Sequence, residues 1–530
     1  MTANLDSVST IPAMLDLAAS HYGDRAFIID GGITLSFRDT AKLAEHVAAG
    51  LVSSGFDYGD RAAIWAPNCA DWIVAALGIL SAGGVLVTVN TRYKGAEAAN
   101  IVNDSGAKVA FVIDRFLDTD YSEELSRHST PTLEQVVSIS LDSLNRAGNG
   151  LSGLASEGAT WMEDGANLER FEQQRARICG ESRSDILFTS GTTGRPKGVV
   201  TRHRQNLKAF ATFSEILGLD EDDRYLIINP FFHSFGYKAG WLASLMRGAT
   251  VYPLAVFDVP EVLARIEKHR ITVMPGPPTL FQSILSHPGL EACEISSLKK
   301  ATTGAAVIPT QLIVDMRETL EIDTVITAYG LSETCGLVTM CRQGDAADTI
   351  AQTSGRAIPD VEVAIVGADG NPLPAGESGE IVVRGFNVME SYFNNAEATA
   401  DTIDDAGWLH TGDIGSLDAE GNLRITDRLK DMFICGGFNC YPAEIENQML
   451  AHEHIAQVAV VGMPDERMGE VGAAFVVPAA DAEIDAETLT AWCRSEMANY
   501  KVPRRIEFVT ALPCNASGKV LKTELRAQLQ

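Results

Sequence analysis

The sequence predicts an α/β protein: a large N-terminal domain of two helix-covered, mostly parallel sheets plus a β-rich subdomain, then a small α+β C-terminal domain. Three observations carry this. Between Ala26 and about Val256 short β-rich runs alternate with helical patterns, as in AAIWAP before NCADWIVAALGIL, then VLVTVN, KVAFVI and DILFTS. After Gly355 the texture changes to short strands with turn residues between them, in VEVAIVGADGNPLP, GEIVVRG and DAEGNLRIT. Past the charged run DRLKD a fresh set of elements begins.

In chain order, a second alternating unit runs through ITVMPGPP and LKKATTGAA to DTVITAYG. Residues 131–182 are rich in Ser, Gly and Glu and weakly periodic, so surface loops with one helix are expected there. The final hundred residues read as a helix (PAEIENQMLAH), two strands (AQVAVVGMP and GAAFVVPA), a helix (ETLTAWCRSEM) and a tail ending in NASGKVLKTELR. The expected domains are 1–429 and 430–530, and a chain of 530 residues is long enough for at least two.

Composition excludes several classes. With 42 basic and 70 acidic residues the net charge is −28, which repels nucleic acid and anionic membranes. Any polyanion must therefore meet a local concentration of Lys, Arg and backbone N–H groups. The apolar run from Ile73 to Val89 approaches membrane length, but it holds Gly78, Ser81, Gly83 and Gly84 and reads as a buried helix turning into a strand. No stable membrane insertion is expected. The start of the chain lacks a signal-peptide pattern, and nine scattered cysteines form no CxxC pair, as expected of reduced thiols in a cytoplasmic enzyme.

The strongest local signal is TSGTTGRPKG, from Thr189 to Gly198, directly after the strand-like DILF. Gly191 and Gly194 let backbone approach a polyphosphate. Thr189, Ser190, Thr192 and Thr193 add hydroxyls, and Lys197 adds a cation. The spacing is not that of a Walker loop.

This segment resembles the phosphate loop of the adenylate-forming superfamily, which comprises acyl-CoA synthetases, peptide-synthetase adenylation domains and beetle luciferases. Four further segments match that family in order: AYGLSET (Ala328–Thr334), LHTGD (Leu409–Asp413), DRLKDMFICGGFNCYPAEIE (Asp427–Glu446) and NASGK (Asn515–Lys519). The resemblance implies an ATP-dependent ligase that makes an acyl-adenylate and passes the acyl group to coenzyme A. It implies that Tyr329 stacks on adenine beside Gly330, with Gly304, Ala305 and Ala306 on the opposite side. Glu333, with Thr193, would hold Mg²⁺, a hard cation that takes oxygen ligands. Thr334 would touch the α-phosphate, and Asp413 and Arg428 the ribose. Lys519 would stabilise charge as two anions meet.

In relatives the small domain rotates about a hinge, here Lys430. The loop with Gly436, Gly437 and Phe438 would then admit the pantetheine arm, with Glu444 in contact. Lys519 is also the kind of lysine an acetyltransferase modifies in relatives. The oligomeric state stays open, a homodimer included.

For the acid, Pro230 to Lys238 holds no acidic side chain, which argues against an amino acid substrate. His233 resembles the family's gate beside the carboxylate. The expected pocket walls are Phe235, Gly236, Tyr237, Lys238, Gly276, Pro277, Thr303 and Met340, with Lys238 either binding a polar group or pointing outward. NTRYKGAEA, DDRYLIINPFFHSFGYKAG and ITVMPGPPT resemble the steroid-degradation CoA ligases of actinobacteria. These act on the methylhexahydroindanedione propanoate left after sterol rings A and B are removed. The alternative is a medium- or long-chain fatty acyl-CoA synthetase.

Overall fold

The computed structural model describes residues 8–141, 150–189, 196–304, 308–428, 431–435, 438–465, 467–479, 482, 484–514 and 520–529. The first alternating unit folds into a seven-stranded sheet. Its central strands Arg183–Thr189, Val85–Thr88, Arg61–Trp65, Val109–Ile113 and Gln135–Ile139 are parallel. Lys197–Arg202 and Ser391–Tyr392 extend it antiparallel. Between its strands the run that approached membrane length is a helix, Ala70–Ser81, buried all round. Among the described residues no helix is long and apolar enough to cross a membrane.

The second sheet has nine strands, with a parallel centre running through Thr324–Tyr329, Lys300–Thr303, Val273–Gly276, Arg224–Ile227 and Thr250–Pro253. Both parallel sheets read as near-continuous Val, Ile, Leu and Ala because helices cover them. The β-rich subdomain is a four-stranded antiparallel sheet that includes Leu409–Leu417. The C-terminal region forms its own sheet around Ile455–Asp465 and Gly469–Pro478, with a separate core of Phe433, Ile445, Val460, Val476 and Leu489.

One expectation is corrected. Residues 131–182 hold a strand, Gln135–Ile139, and two helices, Gly150–Trp161 and Gly165–Arg175. The first helix lies against Phe37–Ser53 through glycines: a Cβ on Gly158 would fall 2.0 Å from the His46 carbonyl oxygen. A contact made by small residues leaves no strong apolar stripe, which is why the stretch reads as loop.

Candidate active site

In an open α/β sheet the carboxyl ends of parallel strands line the ligand crevice. Four predicted residues sit at such ends in the second sheet: Gly276, Thr303, Gly304 and Tyr329. Gly330 follows, and a side chain there would collide with backbone, its Cβ 2.3 Å from the carbonyl carbon of Gly336. The chain therefore doubles back tightly over the short 3₁₀ turn Ser332–Thr334, which presents Glu333.

The Tyr329 hydroxyl donates to Asp413 Oδ2 at 2.7 Å, joining this sheet to the β-rich subdomain. The Asp413 N–H donates to the Thr411 hydroxyl at 3.0 Å. Glu380 braces the same turn, accepting from the Gly412 N–H at 3.1 Å and pairing with His410 Nδ1 at 2.8 Å. The predicted adenine and ribose residues are thus brought together.

Thr189 and Lys197 face each other as paired residues of an antiparallel hairpin, so the predicted phosphate loop is its connection. Ser190, Gly191, Thr192, Thr193 and Gly194 lie outside the described residues, as do Ala305, Ala306, Lys430, Gly436, Gly437 and Lys519. The backbones of Arg428 and Phe438 are described, the former paired with Asp413 and the latter with Cys435.

Lys197 Nζ lies over the Tyr392 ring, 4.8 Å from its centroid. The Tyr392 hydroxyl in turn donates to Glu333 Oε1 at 2.8 Å. Burial, then the Glu333 charge, raise the Tyr392 pKa, so the phenol stays a donor. Tyr392 was missed in sequence because MESYFNN carries no motif of its own; its role comes from pairing with Val199 across the sheet.

His233 stands at the N-terminus of a short turn, where its Nδ1 accepts from the Phe235 N–H at 3.3 Å. Solvent reaches the ring although protein surrounds it, as for a side chain lining a cleft. Desolvation, then the Lys238 charge, lower its pKa. The neutral ring therefore carries its proton on Nε2, a donor for a carboxylate.

Three expectations change here. Lys238 neither faces an acid nor points outward: at 1% exposure its Nζ pairs with buried Asp185 at 3.0 Å and donates to the Thr201 hydroxyl at 3.1 Å. Tyr237 and Met340 are wholly enclosed, so they back the acyl region rather than line it. Tyr237 stacks on Trp241 at 4.8 Å. Phe235 and Pro277 keep part of their surface open. Gly236 is pressed against the 229–230 backbone. Thr334 is also enclosed, its hydroxyl donating to the Leu331 carbonyl at 3.0 Å and accepting from the Leu331 N–H at 2.9 Å. It closes the turn under Glu333 rather than offering its hydroxyl to a phosphate.

The AMP-binding enzyme family matches residues 15–393, and the AMP-binding enzyme C-terminal domain matches 444–519. The chain belongs to the AMP-binding enzyme family. It is 45% identical, over 98% of its length and 99% of the relative's, to the 3-[(3aS,4S,7aS)-7a-methyl-1,5-dioxo-octahydro-1H-inden-4-yl]propanoyl:CoA ligase of Mycobacterium tuberculosis (strain ATCC 25618 / H37Rv). It is 46% identical to the ligase of that name from Rhodococcus jostii (strain RHA1), again over 98% and 99%. Among solved structures, ATP-bound MatB from Rhodopseudomonas palustris superposes with a TM-score of 0.85 at 26% identity, covering 100% of this chain and 99% of that one.

This AMP-binding enzyme is an AMP-forming acyl-CoA synthetase, an acid–thiol ligase that uses ATP and CoA. Glu333 Oε2 has no hydrogen-bond partner among the described residues. A carboxylate linked through Tyr392 to Lys197 at the end of the predicted phosphate loop fits Mg²⁺, which takes one or two carboxylates and completes its shell with phosphate and water. No cluster of three or more His, Cys, Asp or Glu ligands exists among the described residues. On the C-terminal side Glu444 pairs with Lys501, and Glu446 with Lys522 at 2.8 Å.

Proposed function

We propose that this ligase activates a steroid-derived bicyclic propanoate, the acid of the methylhexahydroindanedione type, as an adenylate and then as its CoA thioester. The carrying observation is identity of 45% to a ligase of that acid, spread over nearly the whole of both chains. The Thr303 hydroxyl, at the crevice end of its strand, has no partner among the described residues. An unmet buried donor costs about 1–3 kcal/mol, a cost that ring carbonyls could relieve and an alkyl chain could not.

In the first half-reaction the acid's carboxylate attacks the α-phosphorus of ATP and pyrophosphate leaves. Neutral His233 donates from Nε2 to the carboxylate and orients it. Lys197 faces the phosphates, Asp413 accepts from the ribose hydroxyls beside Arg428, and Tyr329 packs on adenine. Glu333, with Thr193, would hold Mg²⁺, which supplies charge neutralisation on the phosphates when bound. Lys519 offsets negative charge as the anions approach.

In the second half-reaction the 430–530 domain turns about Lys430. The segment with Gly436, Gly437 and Phe438 guides the CoA thiol to the acyl carbonyl, and AMP leaves. Glu444 must then exchange its Lys501 partner for CoA. Nine cysteines scattered along the chain with no CxxC pair among them support a reducing, cytoplasmic setting.

Pyrophosphate release with CoA, compared across the bicyclic acid, palmitate and an aryl acid, tests the substrate. The bicyclic acid should give the highest kcat/KM, by about 100-fold or more. Comparable turnover of palmitate would overturn the reading.

A further inference from the structure

We propose that Tyr392 is a positioning residue for adenylation, its hydroxyl holding the Glu333 carboxylate and its ring face seating the Lys197 ammonium. The inference rests on the reading that Glu333 meets the metal and Lys197 the phosphates. It adds the part that fixes one relative to the other.

The tyrosine sits between the two groups. Its hydroxyl is 2.8 Å from Glu333 Oε1, and its ring centroid is 4.8 Å from Lys197 Nζ. A hydroxyl donating to a carboxylate makes a charge-assisted bond, and a cation over a ring face is attracted by the ring quadrupole. One oxygen of Glu333 is thereby oriented while Oε2 has no partner among the described residues. Neither contact consumes the cation, so Lys197 keeps its donors for phosphate oxygens.

The segment bearing Tyr392 is fastened to both groups it serves. The Met389 N–H donates to the Glu333 carbonyl at 2.8 Å. The Glu390 N–H donates to the Val200 carbonyl at 2.9 Å, and the Phe393 N–H to the Gly198 carbonyl at 2.7 Å. The Glu390 carboxylate accepts from Arg202 Nε at 3.0 Å and Arg183 Nε at 2.9 Å, clamping the same segment to both strands of the phosphate-loop hairpin. Any shift of that hairpin therefore carries Tyr392, and with it Glu333.

A plain core tyrosine is the competing account, since Tyr392 also packs with Val199, Met389 and Leu409. The two accounts separate on Tyr392→Phe, which keeps the ring and its packing and removes only the hydroxyl. Binding of a non-hydrolysable ATP analogue would be titrated calorimetrically with and without Mg²⁺, and Mn²⁺ binding to the same complex followed by its electron paramagnetic resonance. With Tyr392→Phe the analogue should bind as in wild type without the cation, while Mn²⁺ affinity in the complex falls about 10-fold. Tyr392→Leu should lose affinity in both conditions, because Lys197 loses its seat as well. Wild-type Mn²⁺ affinity in Tyr392→Phe, with Glu333→Gln impaired, would overturn the role of Tyr392 alone. Wild-type Mn²⁺ affinity in Glu333→Gln would remove the reading of Glu333 and this inference together.

Discussion

The Asp71 carboxyl lies in the first turn of the buried helix Ala70–Ser81. Its Oδ2 accepts only a long bond, 3.4 Å, from the Ser140 N–H, and its Oδ1 has no partner among the described residues. Burial, with a smaller contribution from Asp30, pushes its pKa up to about 7. The unfolded chain ionises this group near 4, so folding favours the protonated form. Stability is therefore full below about pH 4, falls as pH rises towards 7, and levels off above it. Asp71→Asn removes that loss while keeping an acceptor for Ser140. Its Tm relative to wild type should rise by a few degrees between pH 5 and pH 8. A Tm difference that stays flat across that range would show the carboxyl ionised throughout.

Elements meet at one buried ion pair. Asp185 belongs to the strand entering the phosphate-loop hairpin, Thr201 to the strand leaving it, and Asn206 to the helix His203–Leu217. Lys238 comes from the π-helical turn Tyr237–Leu242, just after His233. Asp185 accepts from Thr201 at 2.8 Å, Asn206 at 2.6 Å and Ser184 at 2.7 Å, besides pairing with Lys238. Removing Lys238 alone strands a buried carboxylate, and Lys238→Met should cost about 3–5 kcal/mol in urea unfolding. Asp185→Asn with Lys238→Met removes both charges and should recover most of it. A double variant no more stable than the single one would show that packing, not charge, sets the cost. This pair is hard to read in sequence, because Lys238 and Asp185 are 53 positions apart and nothing local marks them as partners. What the sequence showed well were features fixed within one segment, such as the strand rhythm and the buried helix at 70–81. Features made by two segments meeting were hidden: the glycine contact of Gly158, the enclosure of Thr334, and Tyr392 between two functional groups.

At the scale of the whole molecule, the C-terminal region packs around its own core, with Leu489 and Cys493 fully enclosed beside Ile445 and Met449. A unit with a separate core can turn as a body without exposing its interior. Two of its acidic groups pair within the region, Asp431 with Arg526 at 3.0 Å and Glu446 with Lys522 at 2.8 Å, so rotation need not break those pairs. Such a rotation would let one chain present Lys519 for adenylation and another face for thioester formation, with the change absorbed near Lys430. The two half-reactions should then fail separately. Lys519→Ala should lower acyl-adenylate formation, read as pyrophosphate release, by about 100-fold or more, yet leave CoA transfer from preformed adenylate near wild type. Lys430→Pro would restrict the backbone at the proposed hinge, and should do the reverse. Single-turnover measurements on preformed adenylate distinguish them. Equal loss of both steps in either variant would mean that one domain arrangement serves both reactions.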